Sequence, residues 1–285
     1  MNTIIITGAT SGIGLASARL LAAKGFRILA VGHSKENCEK ARSAILAETP
    51  AASVEYFPAD LMQQREITRV AGELTEYVNK NCGAEVDALI NNAGCARSWY
   101  MTTDEGYEQQ FALNYLAGFL LTHELLPLLT KGQGRVIMTG SESHKGIKVH
   151  WNDVMLRRGY NPLTAYKQSK LCDILFARGL NDRYNAAGVH AYVVDPGLVH
   201  TDIGNKSGGI VNLVWKLRKR HGADPAVPAR TYGWLCEQAE APAGLYYRLC
   251  KENTYSKQVT SENADRLFAL SEQLCGVTFG KENLV

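Results

Sequence analysis

One junction limits what this chain can fold into more than any other feature. A continuous apolar run, Thr3 to Thr7, opens directly into Thr7-Gly8-Ala9-Thr10-Ser11-Gly12-Ile13-Gly14. A short uninterrupted run of this kind reads as a strand buried on both faces. Beyond it Ile13, Ala16, Leu20 and Leu21 recur at helical spacing from about Gly12, and Gly25 closes the helix. Glycines between such a strand and such a helix allow a tight turn and a close approach of backbone to ligand. The free N–H groups and the dipole of the following helix then favour an anion, as the pyrophosphate of a dinucleotide requires. The spacing is GxxxGxG rather than GxGxxG, and its placement between strand and helix gives it weight. Gly8, Ser11, Gly12, Ile13 and Gly14 are therefore expected to hold a dinucleotide.

The same alternation continues. Phe26–Val31, Val54–Phe57, Ala88–Ile90, Arg135–Met138 and Val189–Val194 read as strands, with helical stretches such as Lys35–Glu48 between them. Repeated βα units imply right-handed crossovers and a parallel sheet covered on both faces. The expected fold is α/β: a Rossmann doubly wound sheet of about seven strands flanked by helices, forming a single domain over residues 1–285. A small helical substrate lobe is expected after the sixth strand. Hydrophobic residues make up 46% of the chain, enough to bury such a core, and the net charge of +3 is too small to argue for nucleic acid. No continuous apolar run long enough to span a bilayer is seen, so no transmembrane helix is expected. The start, Met1-Asn2-Thr3, lacks the pattern of a signal peptide. The cysteines are dispersed with no CxxC pair, and read as reduced thiols of a cytoplasmic protein. His123, His144 and His150 show no metal-ligand spacing, so no metal is expected.

At the end of the second strand a carboxylate would bind the ribose diol and repel a 2′-phosphate. This chain has Gly32-His33-Ser34-Lys35 there. The acid is missing and cationic and hydroxyl groups replace it, which favours NADP over NAD; an ordinary polar loop without selectivity is the other reading. His33 is neutral at its ordinary pKa of about 6.5, so attraction to a phosphate falls mainly to Lys35. Farther on, Tyr166 and Lys170 are spaced i, i+4, which puts both on one face of a helix. A tyrosine hydroxyl ordinarily titrates near pH 10, and a neighbouring ammonium stabilises its phenolate, making the pair a candidate general acid/base. A surface tyrosine beside a lysine has the same spacing.

The context weighs for chemistry. Thr7–Gly14, Asp60-Leu61, Asn91-Asn92-Ala93-Gly94, Asn114, Ser141, Tyr166 with Lys170, and Pro196-Gly197 occur in the order found in the short-chain dehydrogenase/reductases. The chain resembles that family over nearly its whole length. The resemblance implies that Tyr166 exchanges a proton with the substrate oxygen, that Ser141 holds the same oxygen, and that Lys170 binds the nicotinamide ribose and lowers the tyrosine pKa. It gives Asn114 a water in a proton relay, although a helix-interior hydrogen-bonding Asn is the plain alternative. Asp60 would contact the adenine with Leu61 beside it, and Asn91 would steady the loop beside the cofactor, where Ala93 and Gly94 also lie. Pro196, Gly197, Val199 and Thr201 would border the nicotinamide. Gly140-Ser141 departs from the Ser-Ser common in the family, and leaves Ser143 as the fallback to Ser141. The stretch from Ser141 to Tyr166, including His150–Asp153 and Tyr160–Pro162, is longer than usual.

That insertion, with Tyr166–Cys172, Asn114–Thr122, Gly244–Tyr247 and Leu267–Leu274, resembles the retinol dehydrogenase branch, which also includes enzymes similar to protochlorophyllide reductase. It implies a bulky, apolar small-molecule carbonyl or alcohol. Gly204–Gly222 reads as a lid over an apolar pocket, as a packed helix, or as a membrane contact. Trp99, Tyr100 and Met101 are further pocket candidates, and packing elsewhere suits them nearly as well. Reduction of a polarised C=C bond is a second enzymatic reading, and a non-catalytic nucleotide-sensing protein a third. The presence of Asn114, Ser141, Tyr166 and Lys170 together argues against the last. Homo-oligomers of the family pair through helices that correspond to Tyr107–Thr130 and Ala165–Tyr184, a pairing the insertion would alter.

Overall fold

The computed structural model describes residues 1–199 and 222–280. Thr201, and the expected lid apart from Gly222, lie outside the described residues. The strands are β1 Thr3–Thr7, β2 Arg27–Gly32, β3 Val54–Pro58, β4 Ala88–Asn91, β5 Arg135–Thr139, β6 His190–Val194, β7 Tyr246–Arg248 and β8 Lys251–Glu252. They form one sheet in the order β3-β2-β1-β4-β5-β6-β7-β8. The pairings from β3 to β7 are parallel, and β8 returns antiparallel to β7. The expectation of about seven strands thus becomes eight among the described residues. The added strand, Lys251–Glu252, is two exposed residues long, too short and too polar to show a strand period.

The helices are α1 Gly12–Ala23, α2 Lys35–Glu48, α3 Gln64–Asn81, α4 Gln109–Lys131, α5 Pro162–Tyr184, α6 Ala226–Glu237 and α7 Ser261–Cys275. Side chains alternate across the central strand. Ile4 and Ile6 of β1 join a core with Ala18 and Leu21 of α1, Ile45 of α2 and Tyr232 of α6. Ile5 joins the opposite core with Leu74 of α3, Phe119 of α4, Phe176 of α5 and Phe268 of α7. Burying such side chains contributes about 1.5–3 kcal/mol each. Helix α4 is long and apolar enough to cross a membrane by length and composition, although no continuous apolar run marks it in the sequence. Its Phe119, Leu121, Leu125 and Leu129 are wholly buried in the second core, which accounts for that apolarity.

Topology locates the site. The connections reverse direction between β1 and β4, which are neighbours with Ile6 opposite Ile90. In open parallel sheets a ligand crevice forms at such a reversal, outside the carboxyl ends of the strands. The loops after β1, β4, β5 and β6 all emerge there.

Candidate active site

The loop after β1 is built as a cradle. Gly8 and Gly12 have φ of +64° and +54°, a region that side-chain-bearing residues rarely adopt. A Cβ on Gly14 would lie 2.3 Å from the Gly8 carbonyl oxygen. Ser11 stands at the N-cap of α1 without a capping side-chain hydrogen bond, leaving first-turn N–H groups for an anion. Ile13, the second residue of α1, is held by apolar packing against the first core. The loop is held from β4. Asn92 Nδ2 donates to the carbonyls of Thr7 (3.1 Å) and Gly8 (3.3 Å), and Thr7 Oγ1 accepts from the N–H of Asn92 (2.9 Å) and of Ala93 (3.0 Å). Asn91, expected to steady this loop, instead turns its amide to Thr122 and Met138 inside the core. Strand alternation decides this: successive residues face opposite sides of the sheet. Gly94 lies against Asn114, whose Oδ1 would be 3.1 Å from a Cβ there.

At the ribose end, β2 stops at Gly32 and no carboxylate occupies the strand terminus. His33 and Lys35 are exposed, while Ser34 caps α2 by accepting the Asn37 N–H. His33 Nδ1 lies 3.6 Å from Asp60 Oδ1, and the same oxygen accepts the Met62 N–H at 3.1 Å. Leu61 beside it is buried. The expected adenosine-side residues therefore converge at one edge of the crevice.

Ser141 follows β5 at the start of a short 3-10 turn, Glu142–His144, and its side chain hydrogen-bonds with Tyr166 on α5. Helix α5 begins at Pro162, with Asn161 Oδ1 capping Leu163 and Thr164, so Tyr166 stands in the second turn. Lys170, one turn on, places Nζ 5.9 Å from the centre of the Tyr166 ring. Its ammonium donates to the Thr139 carbonyl at 2.7 Å and to Asp173 Oδ2 at 3.0 Å. Burial raises the Tyr166 pKa above its usual value; Lys170 and Ser141 pull it down, and Asp173 and Asp195 add to the rise. The expected pull of Lys170 is present, but burial outweighs it. Burial opposes the charge of Lys170 too, yet Asp173 and Tyr166 prevail and leave its pKa raised. Ser143, the fallback to Ser141, has its Oγ buried without a hydrogen-bond partner and lends only its N–H, to Ser141 Oγ.

Asn114 sits within a π-turn of α4, Ala112–Leu116. Its Oδ1 accepts the Cys95 N–H (2.7 Å), and its Nδ2 donates to the Cys95 carbonyl (3.0 Å) and to Ser169 Oγ (3.0 Å). The side chain is thus a tie between the loop after β4 and α5. After β6, Gly197 adopts φ of +69° and its N–H donates to Asp195 Oδ1. Pro196 precedes it, and Val199 is buried and bridges to Ala223. Trp99, Tyr100 and Met101 lie exposed on the loop after β4, with Tyr100 edge-on to Tyr160 of the insertion.

Sequence reasoning passed over three groups. Asn92 stands out in the sequence only as part of Asn91-Asn92-Ala93-Gly94. His144, weighed only for metal binding, is fully buried behind Ser141. Asp173 looks like one more residue of an apolar helix, and only its i, i+3 spacing from Lys170 hinted at a pair.

The model of the short chain dehydrogenase family matches residues 2–209. The chain belongs to the short-chain dehydrogenases. It is an oxidoreductase of the retinol dehydrogenase-like kind. Human retinol dehydrogenase 13 is 32% identical over 96% of this chain and 85% of its own length. Mouse retinol dehydrogenase 12 is 32% identical over 96% of this chain and 86% of its own. Among solved structures, a putative uncharacterized protein from Mycobacterium paratuberculosis superposes with a TM-score of 0.78 at 30% identity, covering 98% of this chain and 95% of that one. A short-chain dehydrogenase from Sphingobium yanoikuyae, solved in complex with NADPH, shares the fold with a TM-score of 0.67 at 22% identity, covering 97% and 96%.

Proposed function

We propose that this short-chain dehydrogenase interconverts a carbonyl and an alcohol on a bulky, apolar small molecule, using NADP. The observation that carries the reading is the meeting of Ser141, Tyr166 and Lys170 beside a glycine cradle that has no room for a side chain. The cradle suits a pyrophosphate: Gly8 and Gly14 keep the backbone open, and the first turn of α1 offers N–H groups. Gly8, Ser11, Gly12, Ile13 and Gly14 would hold the phosphates, Asp60 and Leu61 the adenine side, and Lys170 the nicotinamide ribose. When bound, the dinucleotide supplies the hydride chemistry at its nicotinamide ring.

The chain supplies the proton and the geometry. The Ser141 hydroxyl donates a hydrogen bond to the substrate oxygen and holds it beside the Tyr166 hydroxyl. Tyr166 gives its proton to that oxygen in reduction, or accepts one in oxidation. The Lys170 ammonium stabilises the phenolate that reduction leaves behind. A positive charge arriving near Tyr166 would lower its pKa further, against the burial that now raises it. Exposed Lys35 and the missing carboxylate at the end of β2 support NADP over NAD. The retinol dehydrogenase relatives support an apolar substrate of that size.

Purified protein with NADPH or NADH, offered retinaldehyde, smaller aldehydes, ketones and conjugated enones, tests this. Carbonyl reduction preferring NADPH is expected, with Lys35→Ala weakening NADPH more than NADH. Tyr166→Phe should lower kcat/KM by at least about 100-fold. Turnover confined to the C=C bond of enones, or a Tyr166→Phe variant of full activity, would overturn the proposal.

A further inference from the structure

Tyr166, Lys170 and Asp173 fall at i, i+4 and i+7 of α5, a single stripe of the helix. Asp173 is fully buried, and its flanks on the helix, Leu171, Cys172, Ile174, Leu175 and Phe176, are buried and apolar. One carboxylate oxygen, Oδ2, accepts from Lys170 Nζ at 3.0 Å. The other, Oδ1, is buried without a hydrogen-bond partner. Half-satisfied, this carboxylate is a poor device for stability, because a well-packed apolar residue commonly does as well or better. Among the described residues its one hydrogen bond is to Lys170. We propose that Asp173 is a positioning residue that anchors the Lys170 ammonium from behind and sets how strongly that ammonium acts on the Tyr166 phenol. The inference rests on the Tyr166–Lys170 chemistry proposed above.

The geometry gives the consequence. An ammonium has three N–H donors. The Thr139 carbonyl and Asp173 take two, which fixes the direction of the third and stops the long side chain from wandering. The carboxylate also cancels part of the Lys170 charge felt at the phenol. Among the described residues, the other charged or titratable groups facing this cluster are Asp195 from the end of β6, Tyr232 from α6, whose hydroxyl pairs with Thr139 Oγ1, Cys95 from the loop after β4, Tyr115 from the π-turn of α4, and Cys172 beside Asp173 on α5. Asp173 alone among them touches the ammonium. Burial pushes its own carboxyl up to about 6, and Lys170 offsets part of that rise. Acidification below that value should therefore release Lys170 from its anchor.

Asp173→Asn keeps the shape and removes the charge; Asp173→Leu removes the polarity too. Both should move the Tyr166 phenol titration, read by carbon-13 label at the phenol carbon in the apoprotein and identified by its loss in Tyr166→Phe, to lower pH by about one unit. The rising limb of the pH profile for alcohol oxidation should shift the same way. A falling limb should appear at alkaline pH, as a buried Lys170 without its carboxylate gives up its proton earlier. In the unaltered protein, the Lys170 and Tyr166 resonances should move in step with the Asp173 carboxyl carbon on acidification, a reading that survives if neither variant folds. Unmoved titrations and superimposable profiles would overturn the inference, as would independent resonances. Absence of any hydride transfer in the unaltered protein would sink the proposed function while leaving the label titration able to show the coupling.

Discussion

His144 shows how one side chain can be committed to a single protonation state. Its Nε2 accepts the Ser256 N–H at 3.2 Å, so its proton sits on Nδ1, which donates to the Ser141 carbonyl at 2.6 Å. The ring is edge-on to Tyr246 at 5.1 Å and holds the Ser141 turn against the segment before α7. Burial holds its pKa below the usual histidine value. The unfolded chain therefore takes up the proton first, and stability is full above about pH 6.5 and falls as pH drops through that value. Asp87, Glu108 and Asp173, whose carboxyls burial raises, work in the opposite sense, so the comparison with a variant is what reports His144. His144→Phe keeps the ring contact and should cost about 1–3 kcal/mol at neutral pH by stranding the Ser256 N–H and leaving the Ser141 carbonyl with the His144 backbone N–H alone. The gap to the unaltered protein should narrow on acidification, as read by urea midpoints between about pH 5 and 8. A gap constant with pH would show that the ring's protonation does not matter.

At the β1–α1 junction, strand, turn and helix cap each depend on the others. Gly14 packs so near the Gly8 carbonyl that a methyl group cannot enter without moving the loop. Gly14→Ala should cost about 1–3 kcal/mol by overpacking. It should also weaken dinucleotide binding at least about tenfold, measured by quenching of intrinsic fluorescence. Equal affinity for the variant would separate the cradle from the cofactor. Helix α4 makes a complementary point. Its π-turn at Ala112–Leu116 swings Asn114 into reach of Cys95 and Ser169 at once. Such turns leave no mark in side-chain periodicity, so Asn114 is legible in the sequence as an identity and not as a tie between two elements.

Across the whole molecule, the C-terminal helix α7 closes the second core. Phe119 of α4, Phe176 of α5 and Phe268 of α7 are fully buried, and Phe279 beyond α7 lies 4.9 Å from Phe119 and 5.3 Å from Phe268 between ring centres. Phe279→Ala should lower stability by about 3 kcal/mol in equilibrium unfolding while leaving the site chemistry intact at low temperature. A loss of activity matching the loss of stability would mean the cluster supports the site as well. Helix α7 packs on α4 and α5 through Phe268, whose ring meets Phe119 and Phe176. The insertion, in contrast, folds back on the domain: Tyr160 donates to Glu108, and Gln168 ties His150 to Val154.

The sequence alone determined the βα alternation, the nucleotide cradle and the Tyr166–Lys170 pair, because each is written in local spacing: apolar runs, glycines between strand and helix, and an i, i+4 step. It also placed α2 at its observed bounds, Lys35–Glu48, and the structure adds that Ser34 caps it. Only the tertiary structure decided that Asn92 rather than Asn91 grips the glycine loop, that His144 braces Ser141 from behind, and that Asp173 sits on the lysine. Those choices depend on which face of a strand or helix meets which neighbour, and on whether burial strips water from a charge. Both are set by residues far away in the chain, so they exist only once the sheet and its two layers have closed.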